Sequence, residues 1–304
     1  MTSTRALRSV TSRDFEILVA LDRSPLTAEQ LLNLSETFTL PFTTERRVRE
    51  RLQILCDCGR VRRSQYYATA GRGAQNYYTL TRLGYRLLYG DEALPPTKRY
   101  FGDIGIANHH HTRCLADFIV HTAGSAHRSG LTLANFCREN TLRLEIDDQC
   151  LYPDCAFQLV TEGARAFSYF VELDNGSERV ESDKPIDSWE RKIRLYESCQ
   201  DHCPERFRVL IVTTRRPERL DHILNAAVRL TRNAHRSLFY GICLPQFLSA
   251  DFPLTATCFL NHRAQPVSLI PSAQSDARPP VHDSSATIQP SGLRDHALQA
   301  AAVC

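Results

Sequence analysis

The sequence predicts an α+β chain in two parts: a helix-rich N-terminal third closed by a β-hairpin, then an α/β sandwich on a mixed central sheet. Three observations predict this. Apolar residues follow the 3.6-residue helical period through residues 12–58, and two β-prone runs then flank Gly71-Arg72-Gly73. Beyond residue 104 the pattern alternates in the order α-β-β-β-α-β-α-β, which calls for helices packed on a sheet. Charge divides at the same place. Residues 1–100 hold 16 basic and 10 acidic side chains, whereas residues 101–304 hold 21 and 24.

The elements of the first part can be justified in order. Thr11 or Ser12 caps a helix with Phe15, Leu18, Val19 and Leu21 on its apolar side, and Pro25 ends the turn that follows. Thr27 and Gln30 form a capping box for a short helix through Leu31, Leu32 and Leu34. Thr43 or Thr44 opens a third helix, buried along Val48, Leu52 and Leu55, with Arg46, Arg47, Arg49 and Arg51 pointing elsewhere. Gly59 stops that helix as a left-handed cap. A hairpin bearing Arg62, Arg63 and Arg72 follows, then a helix with Leu83, Tyr85, Leu87 and Leu88. This order is that of a winged helix-turn-helix. Its third helix suits the major groove of double-stranded DNA, and the hairpin arginines suit flanking phosphates.

Composition bounds the rest. A chain of 304 residues with 42% hydrophobic and 23% charged side chains is neither wholly disordered nor fibrous, and is long enough for two cores. The expected limits are a winged unit over 1–90, a linker over 91–103, an α/β domain over 104–248, and an extension over 249–304 that is disordered from about 270. No run reaches the roughly 18 apolar residues of a membrane span. The N-terminus lacks the apolar centre of a signal peptide, so the expected location is the cytoplasm. Cys56 with Cys58, and Cys199 with Cys203, lack a second pair at zinc-ligand spacing, so the eleven cysteines read as reduced, mostly buried thiols.

The chemistry-bearing residues lie in the second part. Asp154 follows Pro153 at the start of one strand, and Glu172 and Asp174 share a face near the end of the next. If the two strands pair as a hairpin, Asp154 meets Glu172. Converging carboxylates repel unless a cation joins them, and hard oxygen ligands suit Mg²⁺ or Mn²⁺. On the following helix Trp189, Lys192, Tyr196 and Cys199 fall on one face, which puts Lys192 inside the apolar stripe and in need of an anionic partner. Only two other lysines exist, Lys98 and Lys184, in linker and loop positions.

Pro153-Asp154, then Glu172-Leu173-Asp174, then Lys192 with Tyr196 resembles the replication-relaxation family of plasmid and mobile-element proteins, over roughly residues 10–245. The resemblance implies an N-terminal winged helix joined to a PD-(D/E)XK nuclease-like α/β sandwich. It also implies metal binding by Asp154 and Glu172, with Asp174 as a further ligand or water-positioning group. Lys192 would stabilise the charged phosphorane or orient the attacking water, with Glu139 and Tyr196 as auxiliaries. The wider nuclease group carries lysine where this chain has Asp174, and Lys192 on the helix stands in for it. A homodimer would suit two-strand cutting.

Other chemistries are excluded or disfavoured. No GxxxxGK[ST] or GxSxG motif occurs. His109-His110-His111 falls in a predicted helix, where successive side chains diverge and cannot all ligate one ion. Two function classes remain: a metal-dependent DNA endonuclease or nickase, and a non-catalytic DNA-binding initiator or regulator on a degenerate nuclease scaffold.

Overall fold

The computed structural model describes residues 10–67, 74–95, 97, 100–146, 149–182, 188–233 and 235–271. Contacts divide the chain into two compact units, Met1–His127 and Arg128–Cys304. The fold is mixed α+β, with a seven-stranded mixed sheet in the second unit.

In the first unit α1 (Ser12–Arg23) begins at a capping box in which Thr11 and Asp14 satisfy each other's backbone N–H. A second box, Thr27 with Gln30, joins β1 (Leu26–Thr27) to α2 (Ala28–Leu34). Thr44 caps α3 (Glu45–Asp57), which buries Val48, Leu52 and Leu55 as its periodicity requires. Gly59 ends α3 at φ +68°, and the Gly59 and Arg60 N–H groups donate back to Cys56 and Leu55 in a Schellman closure. Strands β2 (Val61–Gln65) and β3 (Asn76–Leu80) form the hairpin, and β3 also pairs with β1, giving an antiparallel order β1-β3-β2. Helix α4 (Arg82–Tyr89) packs closely there. A Cβ at Gly84 would stand 2.2 Å from the Arg60 carbonyl oxygen, so only glycine fits.

Helix α5 (His109–Arg128) is tied to these elements within the first unit. Gln30 Nε2 donates to Asp117 Oδ1 at 2.6 Å, and His109 Nδ1 accepts from the Tyr67 N–H at 2.8 Å. The sequence reading placed this helix beyond a linker. Phe15 and Val19, expected on the buried stripe of α1, are exposed, and Leu83 of α4 is likewise; the expected Leu18 and Leu21 are buried and Ile17 joins them in the α1 core.

The second unit opens with β4 (Thr132–Cys137), the small hairpin β5 (Leu144–Ile146) and β6 (Gln149–Leu151), then β7 (Cys155–Val160) and β8 (Ala166–Asp174). It continues through α6 (Trp189–His202), β9 (Phe207–Thr213), α7 (Pro217–Leu230), β10 (Phe239–Cys243), α8 (Leu244–Ser249), β11 (Phe259–Asn261) and β12 (Pro266–Val267). The sheet order is β12-β11-β10-β9-β8-β7-β4, with β8, β9 and β10 parallel and the other pairs antiparallel. The central run Val209-Leu210-Ile211-Val212 is wholly buried on both faces, as a parallel strand in the middle of a sheet must be. Trp189, Ile193 and Tyr196 of α6 and Ile223 and Ala227 of α7 join Val209, Ile211 and Phe239 in one core.

Three expectations need correction. Residues 150–160, a run with the composition of a single strand, do not form one. Pro153 has no N–H to donate, and the chain breaks there into β6 and β7. The helix that the sequence pattern suggests over 183–200 runs from Trp189 behind the Ser188 cap, and residues 183–187 lie outside the described residues. Strands β11 and β12, left in the C-terminal extension by the sequence reading, belong to the sheet edge. Lys98, Lys184, Arg72 and the tail expected to be disordered, from residue 272 onward, lie outside the described residues. The ten cysteines of the described residues are free thiols, of which only Cys155 and Cys199 are buried; the rest are half-buried.

Asp14 does more than cap. It is buried to 1% exposure and paired with Arg51 of α3, whose Nε donates to Asp14 Oδ1 at 2.5 Å and whose Nη2 donates to Oδ2. Burial alone would raise the Asp14 carboxyl, but hydrogen bonds from Arg51 and Thr11 hold it below the ordinary aspartate value of 3.8. The stabilisation is therefore complete above pH 3.8 and is lost as pH falls through the depressed folded value. Arg51→Ala strands the buried carboxylate and should cost the first unit about 3 kcal/mol in urea unfolding at pH 7. A loss below about 0.5 kcal/mol would show that the pair does not hold α1 to α3.

Candidate functional site

Strand register assembles the carboxylates. Cys155 pairs with Val171, so the next position outward sets Asp154 opposite Glu172. Cys137 pairs with Ala156, and the same count sets Glu139 opposite Asp154. Three acidic residues thus stand at the adjacent ends of β4, β7 and β8. Carboxylate oxygens of Glu139 and Asp154 lie within 4.8 Å of one another. Asp154 Oδ2 accepts from the Leu173 N–H at 2.6 Å, which fixes its side chain at the β8 end.

Glu172 is the most enclosed of the set, at 1% exposure. Its two oxygens have separate donors one helical turn apart on α6: Lys192 Nζ reaches Oε2 at 2.8 Å, and the Tyr196 hydroxyl donates to Oε1 at 2.6 Å. Lys192 is therefore on the inward face of α6 that its spacing predicted, and its anionic partner is Glu172. The same ammonium bridges to Glu178 Oε1 at 2.8 Å and lies 5.3 Å from the centre of the Trp189 ring.

The electrostatics follow from this enclosure. Burial pushes the Glu172 carboxyl above the usual glutamate value and the Asp154 charge adds to the effect, while the Lys192 ammonium pulls against both. Burial also acts to lower the Lys192 pKa. The Glu172, Glu178 and Asp154 charges outweigh it and keep the ammonium protonated. Tyr196 is raised well above the usual phenol value, first by burial and then by Glu172, so it stays a hydrogen-bond donor.

Asp174, expected as a third ligand or a water-positioning group, is on the Glu172 face but engaged differently. Arg219 of α7 grips it bidentately, Nε to Oδ2 at 3.1 Å and Nη2 to Oδ1 at 2.9 Å. Trp189 Nε1 donates to Oδ1 and Thr213 Oγ1 to Oδ2, each at 3.1 Å. Burial would raise this carboxyl, yet these donors, Arg219 foremost, hold it below the usual value. Four donors on two oxygens make Asp174 an anchor for α6 and α7. Arg219 was missed, because an arginine in the first turn of an amphipathic helix carries no sequence signal of a buried partner.

The basic residues of the first unit divide similarly. Arg46, Arg47, Arg49 and Arg63 are exposed. Arg46 and Arg49 make only surface pairs to Glu50 and Glu45, at 2.9 and 2.6 Å, which are cheap to exchange for phosphates. Arg49 and Arg63 line one groove between α3 and the hairpin, together with Gln53, Tyr67 and Tyr78. Arg62 instead reaches the Gly102 carbonyl at 3.0 Å and Asp103 at 3.1 Å, and Arg51 is committed to Asp14. His109 and His110 point to different neighbours, His109 to Tyr67 and Ile104, His110 to Cys114. No described helix is long and apolar enough to cross a membrane.

Among known proteins, the family model described as Replication-relaxation matches residues 22–206. No curated protein and no solved structure matches the chain.

The Asp174–Arg219 anchor is testable by itself. Arg219→Ala leaves Asp174 buried with only neutral donors and should cost about 3 kcal/mol in urea unfolding. Trp189, the single tryptophan, reports the transition. Arg219→Lys should recover only part of the loss, because a lysine cannot make the bidentate grip. Full stability in Arg219→Ala would remove the anchor role.

Proposed function

The chain belongs to the replication-relaxation family, and from that premise we propose that it is a DNA-binding protein of plasmid or mobile-element replication. In this reading it hydrolyses a phosphodiester with Mg²⁺ or Mn²⁺. The observation that carries the reading is the convergence of Glu139, Asp154 and Glu172 at adjacent strand ends, with Lys192 held among them. The carboxylate oxygens of Glu139 and Asp154, within 4.8 Å of one another, suit a hard divalent cation. Asp154 and Glu172 would hold the metal, with Glu139 as the auxiliary. When bound there, the metal supplies charge neutralisation and a more acidic water.

The remaining roles belong to the chain's own groups. Lys192 keeps its proton and directs a positive charge to where the scissile phosphate gathers negative charge. Tyr196 orients Glu172 by its hydrogen bond. Asp174, paired with Arg219, positions α6 and α7 rather than ligating. Arg46, Arg47, Arg49 and Arg63 deliver double-stranded DNA by phosphate contacts along α3 and the hairpin, in the manner of a winged helix.

One observation favours a second reading. Both Glu172 oxygens already have protein donors, as in a scaffold that has no need of a metal, and the chain would then be a non-catalytic DNA-binding initiator or regulator. Supercoiled-plasmid nicking with Mg²⁺ or Mn²⁺ separates the two. Wild type should nick, while Asp154→Ala and Glu172→Ala should each lose about 100-fold or more with DNA binding intact. Tight DNA binding with no nicking by wild type, or equal nicking by wild type and both variants, leaves only the second reading.

Delivery is checked by salt dependence. Replacing Arg46 and Arg47 by alanine should weaken duplex binding and flatten the plot of log affinity against log salt by about 0.9 per lost phosphate contact. An unchanged plot would assign α3 to protein contacts.

A further inference from the structure

At the opposite end of β8 from the carboxylates the second unit has a separate pocket. Arg165, Phe167, Arg206, Arg208, Arg236 and Tyr240 line it, and no aspartate or glutamate does. The pocket is open to solvent where β8, β9 and β10 begin. From Ala166 to Glu172 the strand runs about 20 Å, at about 3.3 Å per residue, so this pocket and the carboxylate cluster are distinct places on one sheet.

Its cations are not spoken for in equal measure. Arg236 is neutralised by Asp201 at 2.5 Å and Glu197 at 3.6 Å. Arg206 and Arg208, in contrast, form no ion pair among the described residues. Arg206 is exposed. Arg208 is half-buried, donates from Nε to the neutral Tyr240 hydroxyl at 3.1 Å, and lies 5.7 Å from the Phe167 ring centre and 5.4 Å from that of Tyr240. Arg165 lies 5.4 Å from the Phe167 ring centre. The Ser237 hydroxyl oxygen, buried without a hydrogen-bond partner among the described residues, belongs to another residue of the lining. A buried hydroxyl without a partner costs stability unless something supplies one.

Unneutralised guanidiniums interleaved with aromatic faces, an unpartnered hydroxyl and no carboxylate make up the chemistry that takes a phosphodiester strand with its bases turned to planar groups. A free phosphate would use the arginines but leave the rings idle. A duplex would keep its bases stacked inside and away from Phe167.

We propose that this pocket is a second nucleic-acid site, which binds a short single strand through Arg206, Arg208 and Ser237 with base contacts to the half-buried Phe167. It would hold a strand about 20 Å from the carboxylates, on the order of six nucleotides at duplex spacing. The inference does not depend on the carboxylates being catalytic.

The test uses the full chain and a fluorescein-labelled six-nucleotide oligothymidylate, followed by anisotropy between 50 and 200 mM salt. Arg206→Ala with Arg208→Ala should weaken binding at least tenfold and reduce the salt slope by about 1.4, the single-strand value for two contacts. Arg143→Ala, which removes an exposed arginine ion-paired to Glu145 at 2.7 Å, should leave it within twofold. If the double variant fails to fold, Arg206→Glu alone decides, because that side chain is exposed and unpaired; a tenfold loss is again expected. Phe167→Leu, which keeps the charge and removes the ring, should weaken the oligonucleotide but not inorganic phosphate. Binding within twofold of wild type in the arginine variants overturns the proposal. So does loss caused equally by Arg143→Ala, or inorganic phosphate competing as well as the oligonucleotide at equal concentration.

Discussion

Everything at the carboxylate end of the second unit depends on the enclosure of Glu172. A carboxylate at 1% exposure inside a seven-stranded sheet is untenable without compensation, since an unpaired buried charge costs several kcal/mol. The fold supplies two donors from one face of α6, a charged one in Lys192 and a neutral one in Tyr196. That requirement sets the rotation of α6 about its axis, and the rotation in turn presents Trp189 to Asp174 and buries Ile193 and Cys199. The neighbouring Asp174 makes the same demand on α7 through Arg219. Two residues of one strand thus orient both helices that cover it.

Much of this was legible in the sequence, because it follows from period alone. Strand alternation put Glu172 and Asp174 on one face, and helical spacing put Lys192 in line with Trp189 and Tyr196. A lysine inside an apolar stripe requires an anion, and the anion is Glu172. What period cannot convey is which distant side chain each of the two carboxylates on a face will meet. Asp174 differs from Glu172 through Arg219, which is 45 residues away and enters only when α7 docks. Arg51 was misread for the same reason. It belongs to a run of arginines on α3, yet Asp14, 37 residues earlier, claims it. Glu139, an auxiliary without a motif of its own, is aligned with Asp154 by the register of β4 against β7, and the irregularity between Ala134 and Cys137 hides that register from any count along the chain.

The winged unit shows local signals succeeding where they are self-contained. Thr11, Thr27, Thr44 and Thr81 each cap the helix they precede, and Gly59 closes α3 as expected. Burial is the part that local signals misjudge. Phe15 and Val19 obey the helical period and still face outward, because a stripe of apolar residues is wider than the surface α1 has to cover. Pro153 is the converse case. Its missing N–H makes a break inevitable, and the break is what frees Asp154 to fold back on the Leu173 N–H.

The two carboxylate anchors have a consequence for the order of events as the chain matures. Residues 139, 154, 172, 192 and 219 come together only through contacts of long sequence separation, and the last of them arrives with α7. Contacts of that kind form late, after the loop-closure entropy has been met. The acidic cluster therefore has no assembled precursor in a half-made chain. Before α6 and α7 dock, its acids are separate and solvated, and the geometry that could act on a phosphodiester is absent. The acids and the groups that compensate their burial are thus brought together by the same long-range packing.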